Sequence, residues 1–201
     1  SEELISEMKT NPKVVKYVDI PIQHISDSVL KSMNRASNKK RVENLLTKLR
    51  KEIPDVSIRT SIIVGFPGET KSEFLELFKF LEEFELDNVG FFAYSREKGT
   101  KAYDFENQVL KREKEKRLKT LVELQSKIQF KKAQNMIGKT LKCVCDDQTE
   151  DFYIHRSQYN SPEIDSFVYV EKQNANVELG KFYDIRITDV VEPFDLKGEI
   201  L

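Results

Sequence analysis

Five places in the sequence hold residues whose types and spacing could do chemistry. Cys143 and Cys145 sit one residue apart, so on a strand both point to one face. A metal site asks for more ligands at other spacings, such as paired Cys-x-x-Cys. An iron–sulfur cluster needs a larger cysteine set than the two present here. His24 and His155 are far away in the sequence, and the cysteine pair reads as small apolar strand residues. Gly65-Phe66-Pro67-Gly68-Glu69-Thr70 follows an apolar run and leads into a helical pattern. Open α/β sheets and barrels place their ligands at such strand ends, and glycine lets the backbone pass close to a ligand. No Gly-Lys-Ser/Thr follows, so the segment is not a P-loop. It reads either as a ligand-binding turn or as a tight turn into a capped helix. Asp19-Ile20-Pro21-Ile22-Gln23-His24 puts Gln23 and His24 at the rim of the first strand, ahead of the Gly65 turn at the second, His24 being either a base or a hydrogen-bonded structural residue. Arg59 could pair with a ligand carboxylate or form an ordinary ion pair. Tyr94-Ser95-Arg96-Glu97-Lys98-Gly99-Thr100 makes a third polar rim. Three rims together argue for a ligand site more than any one does.

The elements that must position these rims alternate between helix and strand. Residues 1–11 read as a helix opening at Ser1, and Tyr17–Gln23 as a strand broken by Pro21, which cannot donate to a ladder. Ser26–Arg35 and Asn38–Glu52 read as helices, the second with Val42, Leu45, Leu46 and Leu49 at helical spacing before Pro54. Val56–Val64 has the near-continuous apolar end of a strand buried on both faces. Thr70 caps a helix whose Phe74, Leu77, Phe78, Leu81 and Phe84 form one stripe, and Asn88–Tyr94 is a third strand. This order predicts parallel strands joined by right-handed crossovers. Three strands leave an apolar edge open, which predicts a fragment of a larger α/β barrel that dimerises or swaps elements to cover it.

A long helix over Lys111–Ile137 leads to a region of period two. Candidate strands there are Thr140–Cys145, Asp151–Ser157, Ser166–Glu171, Phe182–Val191 and a short tail after Asp195, with turns at DDQTED, NSPEID and NANVELG. Short antiparallel strands in this number predict a small OB-like β-barrel. The expected fold class is α/β, a partial barrel over residues 1–137 followed by a small antiparallel barrel over 138–201.

Charge divides the chain at the same place. Residues 1–142 carry 28 basic and 21 acidic side chains, and residues 143–201 carry 5 and 13, a net of −8. Between them, residues 111–142 hold eleven Lys or Arg against three Glu, either a solvated helix face with a basic hinge or an element that meets an acidic partner. Many β-barrel nucleic-acid modules are basic, because phosphate neutralisation supplies much of their affinity. A barrel at −8 would repel nucleic acid and attract a basic protein. Two cysteines exclude a disulfide framework, and no stretch approaches the roughly 18 apolar residues of a membrane span. The opening SEELISEMKT is acidic and helix-like, so a signal peptide is not expected there. The expectation is a cytoplasmic protein with no membrane partner.

DIPIQHISDSVLKSMNR, IRTSIIVGFPGET and FFAYSREKGTKA, in this order and spacing, resemble the radical-SAM methylthiotransferases. Arg156 to Asp165 (RSQYNSPEID) resembles part of their TRAM domain. Within the family the motifs are closest to the members that modify a ribosomal protein. Members that modify tRNA typically carry P-x-Q-S-G-S where this chain has Pro21-Ile22-Gln23-His24-Ile25-Ser26, and a proline-rich YSPRPGT where it has Tyr94 to Thr100.

The resemblance implies a transferase that adds a methylthio group to the β-carbon of an aspartate in small-subunit ribosomal protein twelve. Its cofactors would be S-adenosylmethionine and two four-iron four-sulfur clusters, and a basic ribosomal protein would meet the acidic TRAM domain. Neither set of cluster cysteines is present, so this chain alone is expected to bind no cluster, to be inactive, and to need the missing amino-terminal half. By the same resemblance Ile63, Val64 and Gly65 would lie near the adenine, with Gly68 and Glu69 continuing into the helix cap. Phe92 and Ala93 would offer backbone contacts, and Gln23 and Arg59 would reach the ribose or amino-acid part. No general acid or base is implied, since the cofactor performs the abstraction. Two other readings remain open: a tRNA-modifying methylthiotransferase that uses the basic 111–142 segment, and a binding module without catalysis.

Overall fold

The computed structural model describes residues 1–174, 177–191 and 193–201. The expected NANVELG turn includes residues 175 and 176, which lie outside them. The chain opens with helix α1 (Glu2–Thr10), strand β1 (Tyr17–Asp19), helices α2 (Asp27–Ser32) and α3 (Lys39–Glu52), and strand β2 (Ser57–Val64). Helix α4 (Lys71–Phe84), strand β3 (Asn88–Ala93) and the long helix α5 (Lys111–Gln134) follow. The three strands form one parallel sheet in the order β1-β2-β3.

Alternation along β2 sorts its faces. Ile58, Thr60, Ile62 and Val64 are buried, whereas Arg59, Ser61 and Ile63 are only partly covered. The buried face joins Leu46 and Leu49 of α3, Leu77, Phe80 and Leu81 of α4, and Leu121 of α5 in one apolar core. Pro21 interrupts the first strand as its missing N–H requires, and Thr60 bridges the gap. Its hydroxyl donates to Ile20 O at 2.6 Å and accepts from Ile22 N at 3.1 Å. Pairing resumes at a single bridge between Gln23 and Ile62.

Two helices are shorter than their patterns. The expected 26–35 helix ends at Ser32, because Asn34 takes a left-handed φ of 57° and Arg35 N closes onto Leu30 O. The expected 111–137 helix ends at Gln134. Met136 N bonds Ala133 O, and Gly138, at φ 84°, turns the chain into the next strand.

Strands β4 (Thr140–Gln148), β5 (Phe152–Ser157), β6 (Val168–Glu171), β7 (Phe182–Val191) and β8 (Asp195–Ile200) close into a barrel in the order β4-β5-β6-β8-β7. The expectation of a wholly antiparallel barrel is corrected here: β6 and β8 run parallel, with Val168 opposite Leu196. Hairpin patterning could not show this, since the pair joins strands that are not consecutive. Leu141, Cys143, Val168, Val170, Ile185 and Ile187 fill the barrel. Gly198 faces Ile185, and a Cβ there would lie 2.8 Å from Arg186 O. Among the described residues no helix is long and apolar enough to cross a membrane.

Candidate functional site

The strand ends of the sheet form one pole, and the turn Gly65–Thr70 is its centre. Gly65 has a φ of 70°, and a Cβ on it would overlap Cγ of Lys114. Only glycine lets the α5 lysine cross this turn. Lys114 Nζ reaches past it to donate to Tyr94 O at 2.8 Å, and so joins the second and third rims. Glu69 is 4% exposed. Its carboxylate accepts the N–H groups of Gly65 and Phe66 and is paired with Arg117 at 2.8 Å. Burial pushes the Glu69 carboxyl up, while Arg117 and the two peptide N–H groups pull against it.

The first rim is fastened to the same place. His24 is fully buried and accepts Ser26 N on Nδ1 at 3.0 Å. The neutral ring therefore carries its proton on Nε2, which finds no partner among the described residues and lies 4.0 Å from Glu69. Burial pulls its pKa down to about 4; the Glu73 charge opposes that shift and Arg117 adds to it. Glu73 closes a capping box with Thr70 and accepts from the Ser26 and Ser28 hydroxyls. Burial alone would raise its carboxyl, but these donors outweigh it and hold the group at about 2.

The structure brings some of the expected site residues together and separates others. Arg59 and Ile63 share the partly covered face of β2, and Ile63 lies opposite Phe92, which is 55% exposed. Gly90 leaves room there, since a Cβ would meet the Phe92 ring at 3.4 Å and Arg59 Nη2 at 3.8 Å. Tyr94 N donates to Val64 O at 2.9 Å. Alternation along a parallel strand then turns the backbone of Ala93 to the unpaired edge and that of Phe92 toward β2. Gln23 adopts φ 67°, and its backbone bonds Ser61 O and Ile63 N, both at 2.9 Å. Val64 is fully buried, its side chain against the helices. Gly68 is exposed and gives its N–H to Asn107 O. Glu69 points away from the open face, into the protein.

Arg59 lies toward the other pole, where the strands begin. Its Nη1 donates to Asp19 at 2.5 Å, and its Nε lies 3.9 Å from Asp165 of the barrel. Sequence reasoning gave no role to Lys114, Arg117 or Asp165, although Asp165 ends the RSQYNSPEID motif. For the two helix residues the local signal was their three-residue spacing, which puts both on one face of a helix.

The radical SAM superfamily model matches residues 1–81, and the TRAM domain model matches residues 137–201. The ribosomal protein uS12 methylthiotransferase RimO of Geobacter sulfurreducens is 44% identical across the whole chain. That of Protochlamydia amoebophila is 42% identical, again across the whole chain. The chain thus carries a radical SAM superfamily match followed by a TRAM domain match, and along its whole length it is similar to these methylthiotransferases. It spans 45% of the first relative and 43% of the second. A solved multidomain protein with nucleic acid binding domains from Streptococcus pneumoniae covers 33% of the chain at 16% identity and a TM-score of 0.28, too little for any inference.

The iron–sulfur clusters that the resemblance implies would need cysteine ligands. Among the described residues no group of three or more His, Cys, Asp or Glu could hold a metal ion. Cys143 and Cys145 are fully buried in the barrel, and burial pushes the Cys143 thiol up to about 12. That is far from the thiolate a metal requires. The residues of this chain do not fit a cluster. The open sheet face presents the exposed Phe92 ring, Gly90 beneath it and the outer backbone edge at Ala93.

Proposed function

We propose that this chain is part of a longer methylthiotransferase that modifies an aspartate of ribosomal protein uS12. Residues 1–137 would form the cofactor-holding unit and residues 138–201 the recognition unit. The observation that carries this reading is identity of 42–44% to uS12 methylthiotransferases over alignments that take in sheet, long helix and barrel together. The net charge of −8 over residues 143–201 supports a basic protein as the substrate rather than nucleic acid.

In this reading S-adenosylmethionine lies on the open face at the strand-end pole and, when bound, supplies hydrogen abstraction. Ile63 and Phe92 would cover the adenine, and the Ala93 backbone edge would pair with it. The backbone at Val64 and Gly65 would set how closely the ligand approaches, and Gln23 would bond its polar end. Gly68 belongs to the exposed lip of the turn. The place of Glu69 is to hold Gly65 and Phe66 in that turn, and that of Arg59 is at the opposite pole. Cluster ligands would come from outside these residues.

The test uses the full-length protein with reductant, S-adenosylmethionine and either uS12 or bulk tRNA, read by mass spectrometry. Gain of a methylthio group on an aspartate of uS12 is expected. Modification of tRNA alone would replace this reading with the tRNA one, and modification of neither would leave a binding module.

A further inference from the structure

We propose that Asp165 is a docking pin that fixes the β-barrel to the strand-start pole of the sheet, with Tyr17 and Arg59 as its socket. Asp165 belongs to the loop between β5 and β6, yet its side chain is only 4% exposed. A carboxylate leaves water at this depth only when its lone pairs are met. One set of donors is local: Ser161 N donates at 2.8 Å and closes the loop. The other comes from the sheet. Tyr17 Oη donates at 2.7 Å, and the Arg59 guanidinium stands 3.9 Å away, itself oriented by Asp19. Next to the pin, Ser57 Oγ donates to Tyr159 O at 3.2 Å. Tyr17, Ser57 and Arg59 all lie at or near the starts of their strands.

The path of α5 gives the pin its consequence. Its first turn lies at the strand-end pole, where Lys114 meets Tyr94. Its last turns lie at the strand-start pole, where Gln129 donates to Asn88 at 3.0 Å and Lys132 pairs with Asp87. The fifteen residues from Lys114 to Gln129 cover about 22 Å at 1.5 Å per residue. The pin therefore holds the barrel at the far end of the sheet from the Gly65 turn. The carboxyl end of α5 is tied to the sheet and packs on the barrel core through Ala133 and Met136, and the pin adds an attachment from the barrel's own loop. The inference concerns the placing of two units and does not rest on the reaction proposed above.

The test is a distance measurement on the chain as it stands. Both native cysteines are buried, so spin labels go on Lys98→Cys at the strand-end pole and Glu150→Cys on the barrel, both exposed positions. The expected result is one narrow distance distribution in the parent. Asp165→Ala should add a second, longer population. Tyr17→Phe should do the same, although it touches only the sheet side and leaves the Ser161–Asp165 bond in place. A parent-like narrow distribution in both variants would overturn the pin and leave Asp165 with a purely local role in its loop.

Discussion

The two poles of the sheet each depend on a buried carboxylate, and the two are wired differently. Glu69 at the strand ends is held within its own unit, by two peptide N–H groups four and three residues back and by Arg117 of the helix that covers the sheet. Asp165 at the strand starts is held by its own loop and by a tyrosine 148 residues earlier. The first arrangement shapes a turn, and the second orients one unit against another. The difference teaches that burial of an acid does not by itself mark a ligand site. Glu69 stands in the most site-like motif of the chain, and its bonds are spent on keeping that motif folded.

The largest effect should come from breaking the Glu69 wiring. Arg117→Ala leaves a fully buried carboxylate without its counter-charge, which costs about 3–5 kcal/mol. Urea unfolding at neutral pH should show a large drop in the midpoint. A loss under about 1 kcal/mol would mean that the two peptide N–H groups suffice and that Arg117 is incidental.

Next in size is the acid response of the same pole. The folded-state pKa of His24 is about 4, against an ordinary value of 6.5. In that window the unfolded chain binds more protons than the folded one, so stability falls as pH drops from about 6.5 to about 4. Full protonation costs on the order of 3 kcal/mol. His24→Asn keeps an acceptor for the Ser26 N–H and removes the titration, so it should flatten the slope in this window. An unchanged slope would move the acid sensitivity to another group. The strand-start pole has no buried histidine among the residues of its pin, so Tyr17→Phe should leave that slope as it is.

Much of this was legible in the sequence, and the rest was hidden for a physical reason. Helical stripes and period-two runs are local, so α3, α4, β2 and the barrel strands stand out in the pattern. The Gly-x-x-Gly turn and the Thr70 cap are local as well. The pairs that decide each pole join residues 48 and 148 positions apart, and nothing in composition or period links them. The parallel pairing of β6 with β8 was hidden for the same reason. Arg59 shows the limit most plainly. Its position on a β2 face beside Ile63 is legible, but whether that face meets a cofactor or a second unit depends on where the barrel docks.

A third way to sharpen the comparison is to crowd the turn that Glu69 holds. Gly65→Ala puts a Cβ at φ 70°, where an L-residue is strained by about 1–2 kcal/mol. The Cβ also collides with the near end of the Lys114 side chain, so the total should be about 2 kcal/mol. Adding Lys114→Ala should recover the collision part and leave the strain. If the double variant is no better than the single one, the crossing by Lys114 does not constrain this turn.

The smallest effect should come from the strand-start pole. Ser57 is 2% exposed, and its hydroxyl reaches Tyr159 O of the barrel at 3.2 Å. Ser57→Ala removes one neutral hydrogen bond, worth about 1 kcal/mol. The attachment there is spread over Tyr17, Arg59, Ser57 and the covalent run of α5, so no single neutral bond carries it. Unfolding should stay a single transition with a slightly lowered midpoint. A second transition in the Ser57→Ala variant would show that this one bond couples barrel to sheet. The contrast between a pole fixed by one buried ion pair and a pole fixed by several weaker bonds would then fail, because a lone serine hydroxyl would be doing at one end what Arg117 does at the other.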